Sequence, residues 1–260
     1  MSQIRSFATS VLSLFVLATP ISALSQAAPS NRTPVLVELF TSEGCSSCPP
    51  ADALLAKLDR DQPIQNAEII VLGEHVDYLD NLGWHDRFSS HQYTERQSQY
   101  SARLGVDGVY TPQMVVDGTD QFVGNDTTRA HRSIASAAQK SKLNLSLSRP
   151  VVDARKISAS VSLPASSASS SHGELYAALV DPTDITDVRK GENGGRRLQH
   201  VGVVRTLQRI GSLKDLGAAP LNFSLNAPVD ANLGNMRVVV FAQQNNQGNV
   251  LGAVVTDLKP

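Results

Sequence analysis

Short apolar runs alternate with helical patterns in the first half of the chain. Val35–Phe40 and Glu68–Gly73 are nearly continuous apolar segments, as is typical of strands that are covered on both faces. Between them, Leu54, Leu55 and Leu58 recur at the spacing of a helix with one apolar face. A strand, a helix and a strand in this order predict a parallel βαβ unit with a right-handed crossover.

Another helix, a hairpin and a last helix are predicted before residue 141. Ser90 is a favourable N-cap for a helix that extends to Leu104, where a glycine follows. Thr111–Pro112 precedes a short strand that ends in Asp117–Gly118, a sequence that favours a hairpin turn. The return strand is followed by a helix that reaches Lys140.

The pattern changes after residue 142, where the helical periodicity stops. About seven short segments with alternating or continuous apolar residues follow, and turn residues separate them. Such a series predicts a small antiparallel β-sandwich over residues 142–260, with a domain boundary near Ser141.

The first 27 residues have the composition of a secretory signal peptide. Arg5 supplies a positive charge, Phe7–Ala18 is an apolar core, and small residues near Ala23 and Ala27 offer cleavage sites. The alternative is an uncleaved membrane anchor, although the segment is short for a stable span. We therefore expect a secreted or periplasmic protein in an oxidising compartment, without a stable membrane span after cleavage.

Composition adds two constraints. The 260-residue chain has a formal net charge of −1 and no long run of either sign, which argues against nucleic acid as a partner. Two cysteines in a secreted chain are too few for a framework of disulfides that would hold a small fold together.

Cys45 and Cys48 form a C-x-x-C motif between the first predicted strand and helix. A disulfide between them closes a very small ring and stabilises the fold little, so the pair suits chemistry better than structure. Two prolines follow in the first helical turn, where a missing N–H costs nothing. This order, with Thr111–Pro112 ahead of a later strand, is the thioredoxin arrangement. The predicted fold is an α/β thioredoxin-like domain over residues 28–141, followed by the β-sandwich domain.

The position of the motif suggests a role for each cysteine. Unpaired N–H groups and the dipole at a helix N-terminus favour a thiolate over a thiol, whereas Glu43 opposes the thiolate if it is close. Cys45 is the predicted nucleophile, and Cys48, one turn deeper, is the residue that resolves a mixed disulfide. The predicted activity is thiol–disulfide exchange with exported thiol or disulfide proteins, for which the redox-active disulfide needs no cofactor.

Two other functions are open. The two thiolates are able to bind Cu(I) or Zn(II) with His75, His85 or His91 as a third ligand. Neither a second C-x-x-C nor an H-x-x-x-H motif supports such a metal site. A buried and unreactive disulfide would instead indicate a non-catalytic module that binds a partner through its β domain.

The Gly191–Arg197 loop is the one feature of the second half to which the sequence assigns chemistry. Backbone amides of adjacent glycines and two arginines suit an anion or a substrate carboxylate. The favoured interpretation is a mobile connection in which glycines provide positive φ angles. A third interpretation places the loop beside the cysteines, where it shapes access to them.

Six stretches carry a resemblance to a known family: Glu38–Asp52, His75–Tyr78, Gly83–Asp86, Arg96–Gln97, Tyr110–Gln113 and Gly191–Arg196. On these stretches, which span most of the mature chain, the protein resembles the secreted thioredoxin-like proteins known as domain of unknown function 1223. Leu79 stands where that family often has a tryptophan. The resemblance to thioredoxin-like proteins implies that the Thr111 backbone pairs with a substrate strand and that Pro112 shields the sulfurs from metal.

Overall fold

A computed structural model of the protein describes residues 32–164, 172–216 and 219–258. The predicted signal peptide, residues 1–27, lies outside these ranges. The described residues belong to one compact unit. None of the helices in these ranges has the length and apolar composition needed to cross a bilayer.

Four strands and three helices form the first half, in the order that the apolar pattern predicts. They are β1 (Thr33–Thr41), α1 (Pro49–Asp61), β2 (Ala67–His75), α2 (His91–Leu104), β3 (Gln113–Val116), β4 (Asp120–Val123) and α3 (Thr127–Ala137). The predicted ends of α2 are confirmed. The Ser90 side chain accepts a hydrogen bond from the Gln92 amide, and Gly105 ends the helix at φ +69°.

Eight strands follow in the second half. They are β5 (Ser146–Leu147), β6 (Val151–Asp153), β7 (Lys156–Ser162), β8 (Glu174–Asp187), β9 (Arg197–Ser212), β10 (Leu221–Asn226), β11 (Arg237–Gln243) and β12 (Val250–Asp257). Short 3-10 turns lie at Leu213–Asp215 and Leu233–Asn235. The longest of these strands, β8 and β9, pair with each other as an antiparallel hairpin.

The strands form a large mixed sheet and a smaller antiparallel one. The large sheet has the order β12-β11-β8-β9-β2-β1-β3-β4, and the smaller one has the order β10-β7-β5, with β6 paired to β7. β1 runs parallel to β2, as the predicted βαβ unit requires, and antiparallel to β3. The two halves of the chain meet where β2 runs parallel to β9, at the pair Gly73 and Val203.

The second-half strands differ from the sequence expectation in their placement. The apolar pattern puts all of them in one sandwich of their own, whereas four of them extend the sheet of the first half. The reason is visible in β11, where six consecutive residues are buried. A strand that is covered on both faces suits the middle of a sheet with layers on either side, rather than one layer of a small sandwich.

Alternate residues of β1 supply two different cores. Val35, Val37 and Leu39 pack with the apolar faces of α1 and α3. Leu36 packs on the opposite face of the sheet, in a cluster that includes Tyr93 of α2. A further core lies between the smaller sheet and the strands β8 and β11. The large sheet is therefore covered on both faces.

A buried polar network breaks the apolar pattern at Glu38. The side chains of Glu38 and Arg96 are almost completely buried, and Arg96 Nε donates to Glu38 Oε1 over 2.6 Å. The Tyr100 hydroxyl donates to Glu38 Oε2, also over 2.6 Å. Arg96 Nη2 donates to Gln243 Oε1 over 3.0 Å, so the network joins β1 and α2 to the end of β11.

Glu74 adds a second buried carboxyl group to this network. Burial and the neighbouring Glu38 carboxylate raise the pKa of Glu74 well above its ordinary value, against the opposing effect of Arg96. Glu74 therefore holds a proton more readily than an ordinary glutamate does. One buried cation then compensates one buried anion, which is the condition under which such a cluster is tolerated.

We expect Arg96→Met to lower the free energy of unfolding by about 3–5 kcal/mol, because it leaves the Glu38 carboxylate buried without its cation. Urea unfolding at neutral pH measures this loss. Arg103→Met, at an exposed position in the last turn of the same helix, is the matched control and should change stability little. A loss below about 1 kcal/mol for Arg96→Met would contradict the assignment of this ion pair as a main structural contact.

Candidate functional site

The two cysteines form a disulfide at the start of α1. Cys45 follows the end of β1, and Cys48 occupies the N-cap position of α1, with Pro49 and Pro50 as the first helical residues. Cys45 is 6% exposed and Cys48 is fully buried. The pair therefore lies at a helix N-terminus, as the sequence predicts, and Cys45 is the more exposed of the two residues.

Pro112 lies close to the same helix. The Gly124 amide donates to the Pro112 carbonyl over 2.9 Å. A Cβ atom at Gly124 would lie 3.1 Å from Ala51 Cβ in α1 and 3.2 Å from Pro112 Cβ. Gly124 thus allows the loop that carries Thr111–Pro112, whose peptide bond is cis, to approach the first turn of α1.

The loop between β8 and β9, residues 188–196, contacts the disulfide segment directly; we call it the hairpin tip. Asn193 is fully buried, and its Nδ2 donates to the carbonyl oxygens of Glu43 and Cys45, each over 2.9 Å. The Glu192 carboxylate accepts from the Ser46 amide over 3.1 Å. The third interpretation of this loop is confirmed in its placement beside the cysteines, and its effect on access to them stays a prediction.

Glu43 connects the disulfide segment to the rest of the site. Its buried side chain accepts a hydrogen bond from Trp84 Nε1 over 2.7 Å through Oε2. Its other oxygen, Oε1, lies 3.5 Å from Nε2 of the buried His200 in β9. The ring of His200 packs edge to face on that of His75, with 4.8 Å between centroids. The imidazole of His200, from the second half of the chain, is thereby buried beside Glu43 and His75 of the first half.

His75 and Asp86 form a buried ion pair beside this contact. His75 Nδ1 lies 2.6 Å from Asp86 Oδ2, and both side chains are almost inaccessible. Burial alone lowers the pKa of His75, but the Asp86 carboxylate reverses this effect and the pKa is raised. Burial alone raises the pKa of Asp86, but His75 and backbone amides from Glu43 and Phe88 lower it below its ordinary value.

Asp52 places another carboxyl group behind the cysteines. It lies in the first turn of α1, its amide donates to the Cys48 carbonyl, and its side chain accepts from Thr41 Oγ1 over 3.0 Å. Burial raises the pKa of Asp52 above its ordinary value, although His200 and His75 oppose the increase. The first turn of the C-x-x-C helix therefore has buried titratable neighbours, whereas the rest of its inner face is apolar.

The other histidines considered as metal ligands lie elsewhere. His85 is 79% exposed and contacts Asp80, while His91 is 73% exposed and contacts Asp77. His75 is held by Asp86. Among residues 32–164, 172–216 and 219–258, no three histidine, cysteine or acidic side chains are grouped so that they could hold a metal ion.

Asn193, Glu192 and His200 were not assigned to the site by sequence reasoning. Glu192 and Asn193 lie 146 and 148 residues from the residues they contact, Ser46 and Cys45, and spacing alone gives no reason to bring them there. One signal existed: the Gly191–Arg196 stretch is among those that carry the family resemblance. The side chains of Asn193 and Glu192 in that stretch contact the backbone of the C-x-x-C loop, which gives the stretch a structural role.

We expect Asp86→Asn to destabilise the protein more at about pH 5.5 than at about pH 9. Because the pKa of His75 is raised in the folded protein, its contribution to stability is complete below the pKa of the unfolded state. That contribution is lost as pH rises through the pKa of the folded state. Because the pKa of Asp86 is lowered in the folded protein, its contribution to stability is complete above the pKa of the unfolded state. That contribution is lost as pH falls through the pKa of the folded state. Both contributions are therefore complete only between the unfolded-state pKa of Asp86 and the unfolded-state pKa of His75.

Urea unfolding of the wild type and the variant at each pH gives the comparison. The stability difference between the wild type and the variant should be smaller at the higher pH, as the directions of the two pKa shifts require. Asp107→Asn, at an exposed position, is the control. A difference that stays constant with pH would show that the His75–Asp86 pair is not charged in the folded protein.

The family model described as protein of unknown function, DUF1223, matches residues 36–243. A crystal structure of an Agrobacterium tumefaciens protein is similar, with 27% identity over 88% of this chain and 96% of that chain, and a TM-score of 0.65. Two weaker structural likenesses are a domain of the outer membrane lipoprotein Omp28 from Porphyromonas gingivalis and OgpA from Akkermansia muciniphila. The Omp28 domain has 13% identity over 46% of this chain and 90% of that one, with a TM-score of 0.31. OgpA has 9% identity over 88% and 65%, with a TM-score of 0.25.

Among curated proteins, none matches the chain. The family match covers most of the chain, from the first strand to the end of β11. The protein belongs to the DUF1223 family.

Proposed function

We propose that this protein carries out thiol–disulfide exchange on exported proteins through Cys45 and Cys48. The observation that carries the proposal is the disulfide at the N-terminus of α1, with Cys45 6% exposed and Cys48 fully buried. A ring of two intervening residues adds little stability, so structure alone gives no reason for this bond. A helix N-terminus favours the thiolate, which is the reactive form of a cysteine.

The arrangement of the first half supports a thioredoxin-like interpretation. The elements β1-α1-β2 and β3-β4-α3 follow one another with α2 between them, and their strands have the order β2-β1-β3-β4. The C-x-x-C motif lies between β1 and α1, and Thr111–Pro112 precedes β3 close to the same helix. A redox motif beside a βαβ unit is the context in which C-x-x-C indicates exchange chemistry.

The exchange is a pair of displacements at sulfur. A substrate thiolate attacks Cys45 Sγ, the Cys45–Cys48 bond breaks, and Cys48 leaves as a thiolate that takes up a proton. A second substrate thiolate then attacks the substrate sulfur of the mixed disulfide, which forms a substrate disulfide and leaves Cys45 reduced. In the reverse direction Cys45 attacks a substrate disulfide and Cys48 resolves it.

The remaining parts of the proposal concern the surroundings of this pair. The backbone of Thr111 pairs with a substrate strand, and Pro112 shields the sulfurs from metal. The disulfide itself is the only redox group required. The signal peptide predicted from residues 1–27 directs the chain to the periplasm or outside the cell, where disulfides persist.

The two cysteines should behave differently when each is replaced by serine. Cys48→Ser leaves the Cys45 thiolate without its resolving partner, so after attack on a disulfide of an exported protein, which releases one of that protein's sulfurs as a thiolate, it should accumulate mixed disulfides. Cys45→Ser removes the accessible sulfur and should accumulate none. Non-reducing electrophoresis and mass spectrometry detect the adducts, and the double serine variant is the control. Equal trapping by both single variants would overturn the assignment of roles.

A glutathione redox titration of the mature protein tests the activity itself. We expect a reversible Cys45–Cys48 couple between about −120 and −270 mV, the range of exchange proteins. Alkylation followed by mass spectrometry measures the reduced fraction. A bond that stays oxidised below about −300 mV would indicate a structural disulfide and would contradict the proposal.

A further inference from the structure

We propose that the hairpin tip is a gate over Cys45, and that Asn193 and Glu192 hold it closed. In the closed state the disulfide is open to small thiols, while protein thiols react only when the tip moves away. This inference rests on the proposed exchange function and adds to it a control of substrate size. It assigns the second half of the chain a role in selecting what reaches the cysteines.

Hydrogen bonds attach the tip to the very segment that carries the disulfide. Asn193 donates to the carbonyl oxygens of Glu43 and Cys45, and Glu192 accepts from the amide of Ser46. These three groups are consecutive or nearly consecutive backbone positions around Cys45. A polypeptide substrate that approached this backbone would compete with the tip for the same donors and acceptors.

Accessibility at the disulfide matches a closed state. Cys45 is 6% exposed and Cys48 is fully buried. Exchange requires the attacking thiolate to reach a disulfide sulfur, so its rate depends on access as well as on thiol chemistry. A small thiol needs room for a few atoms. A protein thiol brings its flanking chain with it and therefore needs the surface that the tip occupies.

The tip is built to move as a unit. Its shape is set by internal hydrogen bonds, among them Gly195 N to the Val188 carbonyl and Arg196 N to the Asn193 carbonyl. Val188 is 2% exposed and fixes the base of the hairpin. Gly191 and Gly195 adopt positive φ angles, and both are exposed. The tip also packs on the loop before α2, where a Cβ at Gly191 would lie 3.1 Å from Trp84 Cβ, so opening separates the tip from that loop as well as from the disulfide segment.

Two side chains of different burial provide independent variants. Asn193→Ala removes both donated hydrogen bonds from a fully buried position. Glu192→Ala removes the bond to the Ser46 amide from an exposed position, where the change leaves the core intact. Asn235→Ala, at an exposed position far along the chain, is the matched control. Thermal unfolding checks that each variant is folded, and Glu192→Ala carries the test if Asn193→Ala is not.

The experiment compares two reductants of the oxidised mature protein. Dithiothreitol is the small thiol, and reduced unfolded ribonuclease A is the protein thiol; alkylation and mass spectrometry follow the loss of the Cys45–Cys48 bond. We expect Asn193→Ala to raise the rate with the protein thiol about tenfold, the population change that one or two lost hydrogen bonds imply. The rate with dithiothreitol should stay within about twofold, because the closed state already admits it.

The outcomes separate the gate from the exchange function. Equal acceleration with both reductants would overturn the gate, because the tip would then act on the disulfide itself rather than on access. Unchanged rates in both variants would also overturn it. If neither reductant reduces the wild type or any variant, the exchange function fails first, and the gate fails with it. Selective acceleration with the protein thiol supports the gate.

Discussion

The parallel contact between β2 and β9 is the constraint on which the site depends. It places two glycines against opposing backbone: a Cβ at Gly73 would lie 3.0 Å from the Val201 carbonyl oxygen, and one at Gly202 only 2.8 Å from the Val71 carbonyl oxygen. Gly202 also has a positive φ, which side chains rarely adopt. This close approach joins the two halves of the chain in one sheet. It carries His200 and the hairpin tip to the disulfide.

Buried charge on the first two strands makes this junction specific. Glu38 binds Arg96, which also donates a hydrogen bond to Gln243 at the end of β11. The network is therefore complete only when both halves of the chain are folded together. Glu43 similarly contacts Trp84 of the first half and His200 of the second. Strands with only apolar contacts can change neighbours at a modest cost in free energy. A displaced strand in this sheet would leave a carboxylate buried without a partner. The polar interior thus fixes which strands meet.

The local features of the chain could be predicted from sequence, since they depend on neighbours a few residues apart. The strand at Val35–Phe40, the cap at Ser90 and the cysteines at the start of α1 are of this kind. The partners of the later strands could not be predicted, because apolar periodicity reports that a strand is buried and not which strand lies beside it. The signal that was available in the sequence is the run of five consecutive apolar residues in β11, Val238–Ala242, which indicates a covered central strand. Contacts such as Asn193 with Cys45 span 148 residues and follow only from the pairing of whole strands.

These contacts suggest that the two halves of the chain have different roles in the proposed exchange. The first half contains every atom that the proposed exchange uses: both sulfurs, the helix N-terminus and the Thr111–Pro112 loop. A C-x-x-C at a helix start reacts with whatever thiol reaches it, since the chemistry at sulfur contains no information about the rest of the substrate. Selection must then come from what surrounds the sulfurs. In the proposed gate, the second half supplies that surface through Asn193 and Glu192, and it would restrict access to the pair without altering the reacting atoms.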